Sequence, residues 1–291
     1  MEGYVCSLCP RQCGALRYEE DGEGICGAGT LPRVARIAPH YWEEPCISGE
    51  RGSGTVFFSG CTLSCVFCQN YEISAKRRGK LLTVEELSDR IKELEDRGVH
   101  NINLVSPTPY VESIIRCFEL FRPKVPIVWN TSGYERVETL RRLEGLVDIY
   151  LPDLKYTDPA LSGRLSGAAD YFDYALPAIK EMVRQTGSPV FDDSGIMLRG
   201  TIVRHLILPG HTKNSVSVLD CIKREFGTSV LVSLMGQYLP LGRAGEFADI
   251  NRRITKREYE KVCSHLEALE LEGFAQELSS AKESYVPDWD L

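Results

Sequence analysis

The chain has 291 residues, 43% of them hydrophobic and 26% charged, with a formal net charge of −7. That is enough apolar material for one sizeable core. The acidic balance excludes a mainly electrostatic nucleic-acid binder, since the one basic cluster, Lys76-Arg77-Arg78-Gly79-Lys80, reads as a solvated loop.

No run of about 18 apolar residues occurs, so no membrane span is expected. The N-terminal stretch reaches Cys6 and Cys9 without the apolar core of a signal peptide, which points to the cytoplasm. Residues 1–30 are rich in cysteine and glycine and read as a loop module built around something other than an apolar core. Cys6, Cys9, Cys13 and Cys26 stand there at C-x2-C-x3-C-x12-C. In a reducing compartment grouped cysteines are metal ligands more readily than disulfides. Four thiolates saturate a [4Fe–4S] cluster or hold one tetrahedral zinc. Gly22, Gly24, Gly27 and Gly29 let the chain fold tightly around either. A fully ligated cluster would suit electron relay, whereas zinc would only staple the module.

Thr55–Phe58 is a short β-rich run that delivers the chain into Cys61, Cys65 and Cys68. Their C-x3-C-x2-C spacing lets one loop wrap a [4Fe–4S] cubane and ligate three of its irons. The fourth iron then stays open, as a catalytic metal site requires. The amino and carboxylate groups of S-adenosylmethionine suit that vacancy, and an electron from the cluster would cleave the adjacent sulfonium bond. A zinc site would instead pair C-x2-C with a second pair, and no His or Cys lies close downstream.

Thr83 with Glu86 forms a capping box for a helix carrying Leu87, Ile91 and Leu94 and closed by Gly98. Strands are expected at 102–105, 126–129, 148–151, 201–208 and 230–233. Helices are expected at 111–121, 137–143, 174–185, 215–226 and 256–270, with a glycine-rich loop over 187–200. Strands spaced by helices imply βα units and a parallel sheet. Six strands, the one at Thr55 included, fit an incomplete barrel better than a closed one of eight. Residues 1–50 form the cysteine module and linker, 51–240 the core, and 241–291 a helical extension.

With Phe67 before the last cysteine, the triad resembles the radical S-adenosylmethionine superfamily, whose hallmark is C-x3-C-x-aromatic-C. More narrowly, the chain is similar to the pyruvate formate-lyase activating enzyme-like proteins from Cys6 to about Pro240. The resemblance implies a partial (β/α)6 TIM-like barrel with the cluster at the C-terminal ends of the strands. It also implies a reductant such as flavodoxin or ferredoxin, and a glycyl radical enzyme as partner. Asn70 matches the asparagine of the activases' C-x2-C-H-N stretch, with Gln69 in place of histidine. Asp153-Leu154-Lys155 matches their D-x-K, and Arg204 an arginine that approaches the cofactor's carboxylate. Asn130-Thr131-Ser132-Gly133 stands where those enzymes carry D-T-N-G, so Asn130 replaces a cation-binding aspartate. Their G-G-E is absent; Ser106 and Thr108 would have to meet the methionine amino group with hydroxyls or backbone carbonyls. Gln237 and Tyr238 depart from the family pattern near the last strand. The cysteine module precedes the triad, unlike the ferredoxin-like insertion that follows it in some relatives. An alternative to glycine activation is catalytic action on a small molecule, peptide or nucleoside.

Cys46, Cys117, Cys221 and Cys263 show no ligand spacing, and the last three read as small buried hydrophobes in helices. His205 and His211 read as structural.

Overall fold

The computed structural model describes residues 4–276. Six strands run in parallel: β1 (Ser53–Phe58), β2 (Ile102–Val105), β3 (Ile127–Thr131), β4 (Ile149–Pro152), β5 (Met197–Leu206) and β6 (Leu231–Met235). Each pairs with the next in chain order, with no reversal. The sheet does not close. Beyond β6 lies a further parallel strand, Gly273–Ala275; beyond β1 lie the antiparallel strands Arg33–His40 and Lys80–Leu81. This is the mixed α/β, partial-barrel architecture expected, with edge strands that the sequence pattern did not reveal.

Side chains alternate across the sheet with the strand period of two. Val56, Phe58, Leu104, Trp129, Val203 and Leu234 join the helices in the main core. Val128, Ile149, Leu151 and Ile202 form a second core on the opposite, concave face, against Cys46 and Ile47. Burial on both faces is why these strands read as continuous apolar runs. Arg33–His40 carries the chain back from the C-terminal end of β1 to its N-terminal end, pairing Val34 with Phe58 and His40 with Ser53. The short helix Pro45–Ser48 follows and floors the barrel.

The helices are α1 (Val84–Asp96), α2 (Val111–Leu120), α3 (Val137–Arg141), α4 (Pro159–Ser166), α5 (Tyr171–Thr186), α6 (Thr212–Phe226) and α7 (Lys256–Ala268). The Thr83–Glu86 capping box of α1 is present in both directions, at 3.1 and 2.8 Å. Four expectations need correction. Helix α4 was not foreseen, although Asp158 caps it by accepting from Ala160 and Leu161 at 2.8 and 3.2 Å, and Pro159 occupies its first turn. Helices α5 and α6 start at Tyr171 and Thr212, each three residues before the expected start. The loop expected over 187–200 contains a hairpin that pairs Val190–Phe191 with the start of β5. Its turn is held by the Asp192 carboxylate, which accepts from the backbone of Ser194 and Ile196 at 2.8 and 2.9 Å. Among the described residues, no helix is long and apolar enough to cross a membrane.

Candidate functional site

Strand β1 is buried along its whole length and hands the chain through Ser59 and Gly60 to Cys61. Gly60 has φ of +87°, and a Cβ there would stand 2.5 Å from the Cys26 carbonyl oxygen, so only glycine fits. The loop beyond is sewn to α4 by Ser64 N–H to the Ser166 carbonyl at 3.2 Å and Val66 N–H to that of Leu165 at 2.9 Å. Cys61, Cys65 and Cys68 border one cavity of about 230 Å³, with Ser74 and Arg243 on its wall. Each sulfur has a hydrogen-bond partner. Leu63 N–H donates to Cys61 Sγ at 3.4 Å, Ser166 Oγ donates to Cys65 Sγ at 3.0 Å, and Ser74 Oγ lies 3.2 Å from Cys68 Sγ.

Burial pushes the Cys61 thiol up to about 12 and Cys68 up to about 11, with the charge of Cys65 adding to both, and Cys65 is raised as well. A cationic iron core reverses that balance, since coordination deprotonates a thiol outright. Among the described residues, no group of three or more Cys, His, Asp or Glu converges as a single ion would need. Three thiols lining one cavity of this size supply three donors of the kind that iron in a cluster takes.

Asp153 and Lys155 follow β4 at the same end of the sheet. Lys155 Nζ lies 2.5 Å from Asp153 Oδ2, and both side chains are largely buried. Burial pulls the ammonium down, but Asp153 and Cys65 more than offset it and hold Lys155 above its ordinary range. The pair therefore lies within electrostatic reach of Cys65, although neither residue borders the triad cavity. Tyr171 fixes it from below, its hydroxyl lying 2.7 Å from the Asp153 carbonyl oxygen.

Other candidates lie elsewhere than the sequence suggested. Arg204 is paired with the chain's own carboxylates: Nε donates to Glu44 at 2.8 Å, and Nη2 donates to both Glu44 and Glu43. Glu43 also accepts from Asn103 at 2.9 Å and from Asn130 at 3.3 Å. Arg204 and Asn130 thus belong to a buried network inside the barrel, and the guanidinium does not stand free for a cofactor carboxylate. Burial disfavours the Arg204 charge, yet Glu43 and Glu44 hold its pKa well above the usual value. Thr108 is drawn away too, because its hydroxyl donates to the buried Glu135 at 2.5 Å, where Thr131 also donates. Burial raises the Glu135 pKa although these hydroxyls oppose it. Asn70 opens the short helix Tyr71–Ser74, and its carbonyl accepts from Ser74 at 2.8 Å.

Ser106 ends β2 with φ of +55°. Left-handed backbone costs a non-glycine residue about 1–2 kcal/mol, against about 0.5–1 kcal/mol for glycine's lost chain entropy. Ser106→Gly is therefore expected to keep the fold and raise stability by up to about 1 kcal/mol, read as an increase in Tm. Phe67 is buried and packs on Tyr238, ring centroids 5.9 Å apart, while Gln69 Nε2 donates to the Gln237 carbonyl at 3.3 Å. The positions that depart from the family pattern on either side of the mouth therefore touch.

His205 is buried, with Nδ1 2.8 Å from the Leu154 carbonyl and Nε2 2.9 Å from Ser215 Oγ. Burial lowers its pKa to about 4 from 6.5. The unfolded chain then binds the proton more tightly. Stability is lost as pH falls from about 6.5 to about 4, by about 3 kcal/mol in all, and is retained above that window. Urea titrations at pH 7 and pH 4.5 should show this loss in wild type and much less of it in His205→Gln. His211 lies on the surface side, 2.7 Å from Asp249.

At the N-terminal module, Cys6 is buried, Cys9 and Cys26 are half-buried, and Cys13 is exposed. All four border one cavity, which Thr62 of the triad loop also lines. Burial pushes Cys9 up to about 12; the Arg11 backbone opposes this, while Cys26, Glu135 and Cys6 add to it. Residues that the sequence pattern did not single out include Ser74, Ser166, Glu43, Glu44, Asn103 and Arg11. Of these only Ser166 carried a signal, because Asp158-Pro159 and Gly167 mark the two ends of its helix.

A family model described as the Radical SAM superfamily matches residues 55–220. A protein of Methanocaldococcus jannaschii, described as uncharacterized, is 31% identical over 282 residues, covering 92% of this chain and 75% of that one. Among solved structures, Streptococcus suis SuiB bound to the precursor peptide SuiA superposes with a TM-score of 0.52 at 18% identity. The match covers 76% of this chain and 48% of SuiB. HydG, a maturase of the [FeFe]-hydrogenase, matches with a TM-score of 0.50 at 15% identity, covering 74% of this chain and 48% of HydG. The chain thus spans about half the length of these solved proteins.

Proposed function

Because the chain belongs to the radical SAM superfamily, we propose that Cys61, Cys65 and Cys68 hold its [4Fe–4S] cluster and that the radical it generates removes a hydrogen from a glycine of a partner enzyme. When bound, the cluster supplies the electron that cleaves S-adenosylmethionine to methionine and a 5′-deoxyadenosyl radical. The observation that carries the reading is the juxtaposition of three hydrogen-bonded sulfurs with the Asp153–Lys155 pair. Lys155, kept charged, is suited to hold the cofactor's carboxylate, and Asp153 to accept from its ammonium or hydroxyls. Ser106 and Asn70 flank the same mouth and complete the polar contacts. Phe67, packed under the loop, holds the third cysteine in place.

Glycine as the target rests on the Cys65–Asn70 stretch and the D-x-K match to activating enzymes. SuiB bound to a precursor peptide indicates that this fold admits a polypeptide. A second reading, catalytic turnover of another molecule, is favoured by the Gln69–Gln237 contact, which alters the mouth where target recognition would occur.

Anaerobic incubation with dithionite and S-adenosylmethionine should release 5′-deoxyadenosine. A doublet EPR signal on an added glycyl radical enzyme, with about one cofactor consumed per radical formed, supports the first reading. Many equivalents of 5′-deoxyadenosine and no protein radical support the second. A protein with a full cluster that releases none would sink both.

A further inference from the structure

The chain between β6 and α7 returns to the triad loop and is tied back on itself, the Tyr238 hydroxyl donating to the Ile250 carbonyl at 2.8 Å. Leu239, Ala244 and Ile250 are buried along it, so this segment is packed down rather than laid on the surface. It meets the triad loop at four places. Tyr238 packs on Phe67, and the Gln237 carbonyl accepts from Gln69. Arg243 N–H donates to the Val66 carbonyl at 2.6 Å. Gly242, with φ of +61°, has no room for a side chain. A Cβ there would stand 2.9 Å from the Val66 carbonyl oxygen, 3.2 Å from the Tyr71 ring and 3.5 Å from the Cys68 carbonyl oxygen.

Val66 and Phe67 are the spacer between Cys65 and Cys68. The peptides on the two sides of Val66 are held by different segments. Its N–H donates to the Leu165 carbonyl of α4 at 2.9 Å, and its carbonyl accepts from Arg243. Helix α4 and the returning segment are themselves joined. Arg164 donates to both carboxylate oxygens of Asp249, at 3.1 and 2.6 Å, and His211 Nε2 lies 2.7 Å from the same carboxylate. That helix ends in Ser166, whose hydroxyl donates to Cys65 Sγ. The contacts thus form a closed circuit from the spacer to α4, from α4 to Asp249, and from Gly242 and Arg243 back to the spacer. Residues 61–68 contain no helix or strand. Contacts from neighbouring segments, with one turn bond from Cys68 N–H to the Cys65 carbonyl at 3.2 Å, set where their sulfurs stand.

We propose that the segment 237–250 is a brace for the triad loop, with Gly242 the positioning residue that fixes Cys68 relative to Cys65. The proposal rests on the reading of the triad as a cluster site. One carbon added at position 242 must displace either the brace or the Val66 carbonyl. A close-packed interior passes such a displacement on rather than absorbing it, so it reaches the ligands on both sides of the spacer. Groups that orient metal ligands from outside the coordination sphere change metal affinity by about 10–100-fold.

Gly242→Ala is tested beside Gly187→Ala. Gly187 caps α5 with φ of +68°, and among the described residues nothing lies within 4 Å of its Cβ position. Both changes therefore strain the backbone alike, and the first alone meets the triad loop. After anaerobic reconstitution, the triad's iron is counted as the excess over Cys65→Ala. Wild type and Gly187→Ala should release it to bathophenanthroline disulfonate at the same rate, although Gly187→Ala has the lower Tm. Gly242→Ala should release it at least about tenfold faster, and the EPR g values of its dithionite-reduced cluster should differ from wild type. Release and g values that match wild type would overturn the brace, whatever the Tm. Should Gly242→Ala not fold, Arg164→Gln decides, because it cuts the Asp249 tie at the surface. Faster release from it supports the brace, and an unchanged rate and signal would overturn it. Wild type that takes up no more iron than Cys65→Ala would overturn the reading of the triad, and the brace with it.

Discussion

Cys65→Ala should lower 5′-deoxyadenosine formation by at least about a hundredfold, equivalent to about 2.7 kcal/mol at the barrier, and should remove the iron and sulfide held at the triad. The change deletes one of the three proposed ligands on a loop that is also held by backbone hydrogen bonds to α4, by Arg11 on the Thr62 carbonyl and by the packing of Phe67 on Tyr238, so the fold itself should survive. Ser166→Ala is the informative companion. It removes only the donor 3.0 Å from Cys65 Sγ. Iron content should stay at the wild-type value, while the reduction potential should fall, because hydrogen bonds to cluster sulfurs favour the reduced state. Iron analysis, product quantification and a potentiometric EPR titration read the three quantities. If Cys65→Ala keeps its iron and its activity, the triad is not the centre of the chemistry.

Glu44→Ala should be the most destabilising single change outside the apolar cores. It strips Arg204 of a two-point partner in a site where both side chains are almost wholly buried. Removing one member of a buried ion pair costs about 3–5 kcal/mol, which corresponds to a fall in Tm of about 6–20 °C for a chain of this size. Replacing the whole Glu43–Glu44–Arg204 set by apolar residues of similar volume should recover much of that loss, as it leaves no unpaired charge. Arg204→Lys discriminates between roles. A lower Tm with an unchanged KM for S-adenosylmethionine fits the buried network. A tenfold rise in KM at constant Tm would instead return Arg204 to the cofactor.

How much of this was legible in the sequence depended on whether the information was local. That Cys61, Cys65 and Cys68 would border one cavity was legible because three residues within one loop need no long-range contact to be brought together. The β1-to-loop transition and the Thr83 capping box were legible for the same reason. Helix α4 was equally local, with Asp158, Pro159 and Gly167 marking its limits, but its short, weakly apolar run gave little periodicity to notice. Arg204 is a different case. Its partners come from a segment 160 residues away, and their position follows only once Arg33–His40 is known to return to the floor of the barrel. No spacing rule encodes that. Thr108 shows a third limit. It sits in the 3-10 turn Thr108–Tyr110 just past β2, where strand alternation no longer says which face a side chain takes. The loop after β3, not the motif, decided that it serves Glu135.

The separation between Glu44 and Arg204 also has a consequence for the order in which the protein is made. At a synthesis rate of about 5–20 residues per second, the carboxylates leave the ribosome about 8–32 s before their guanidinium partner exists. Until then the floor of the barrel is a pair of hydrated anions beside an incomplete sheet. It can be sealed only after β5 has been added, whereas the cysteines of the module and of the triad loop emerge early. The nascent chain therefore passes through a stage in which its sulfur ligands are present and its interior is still open to water.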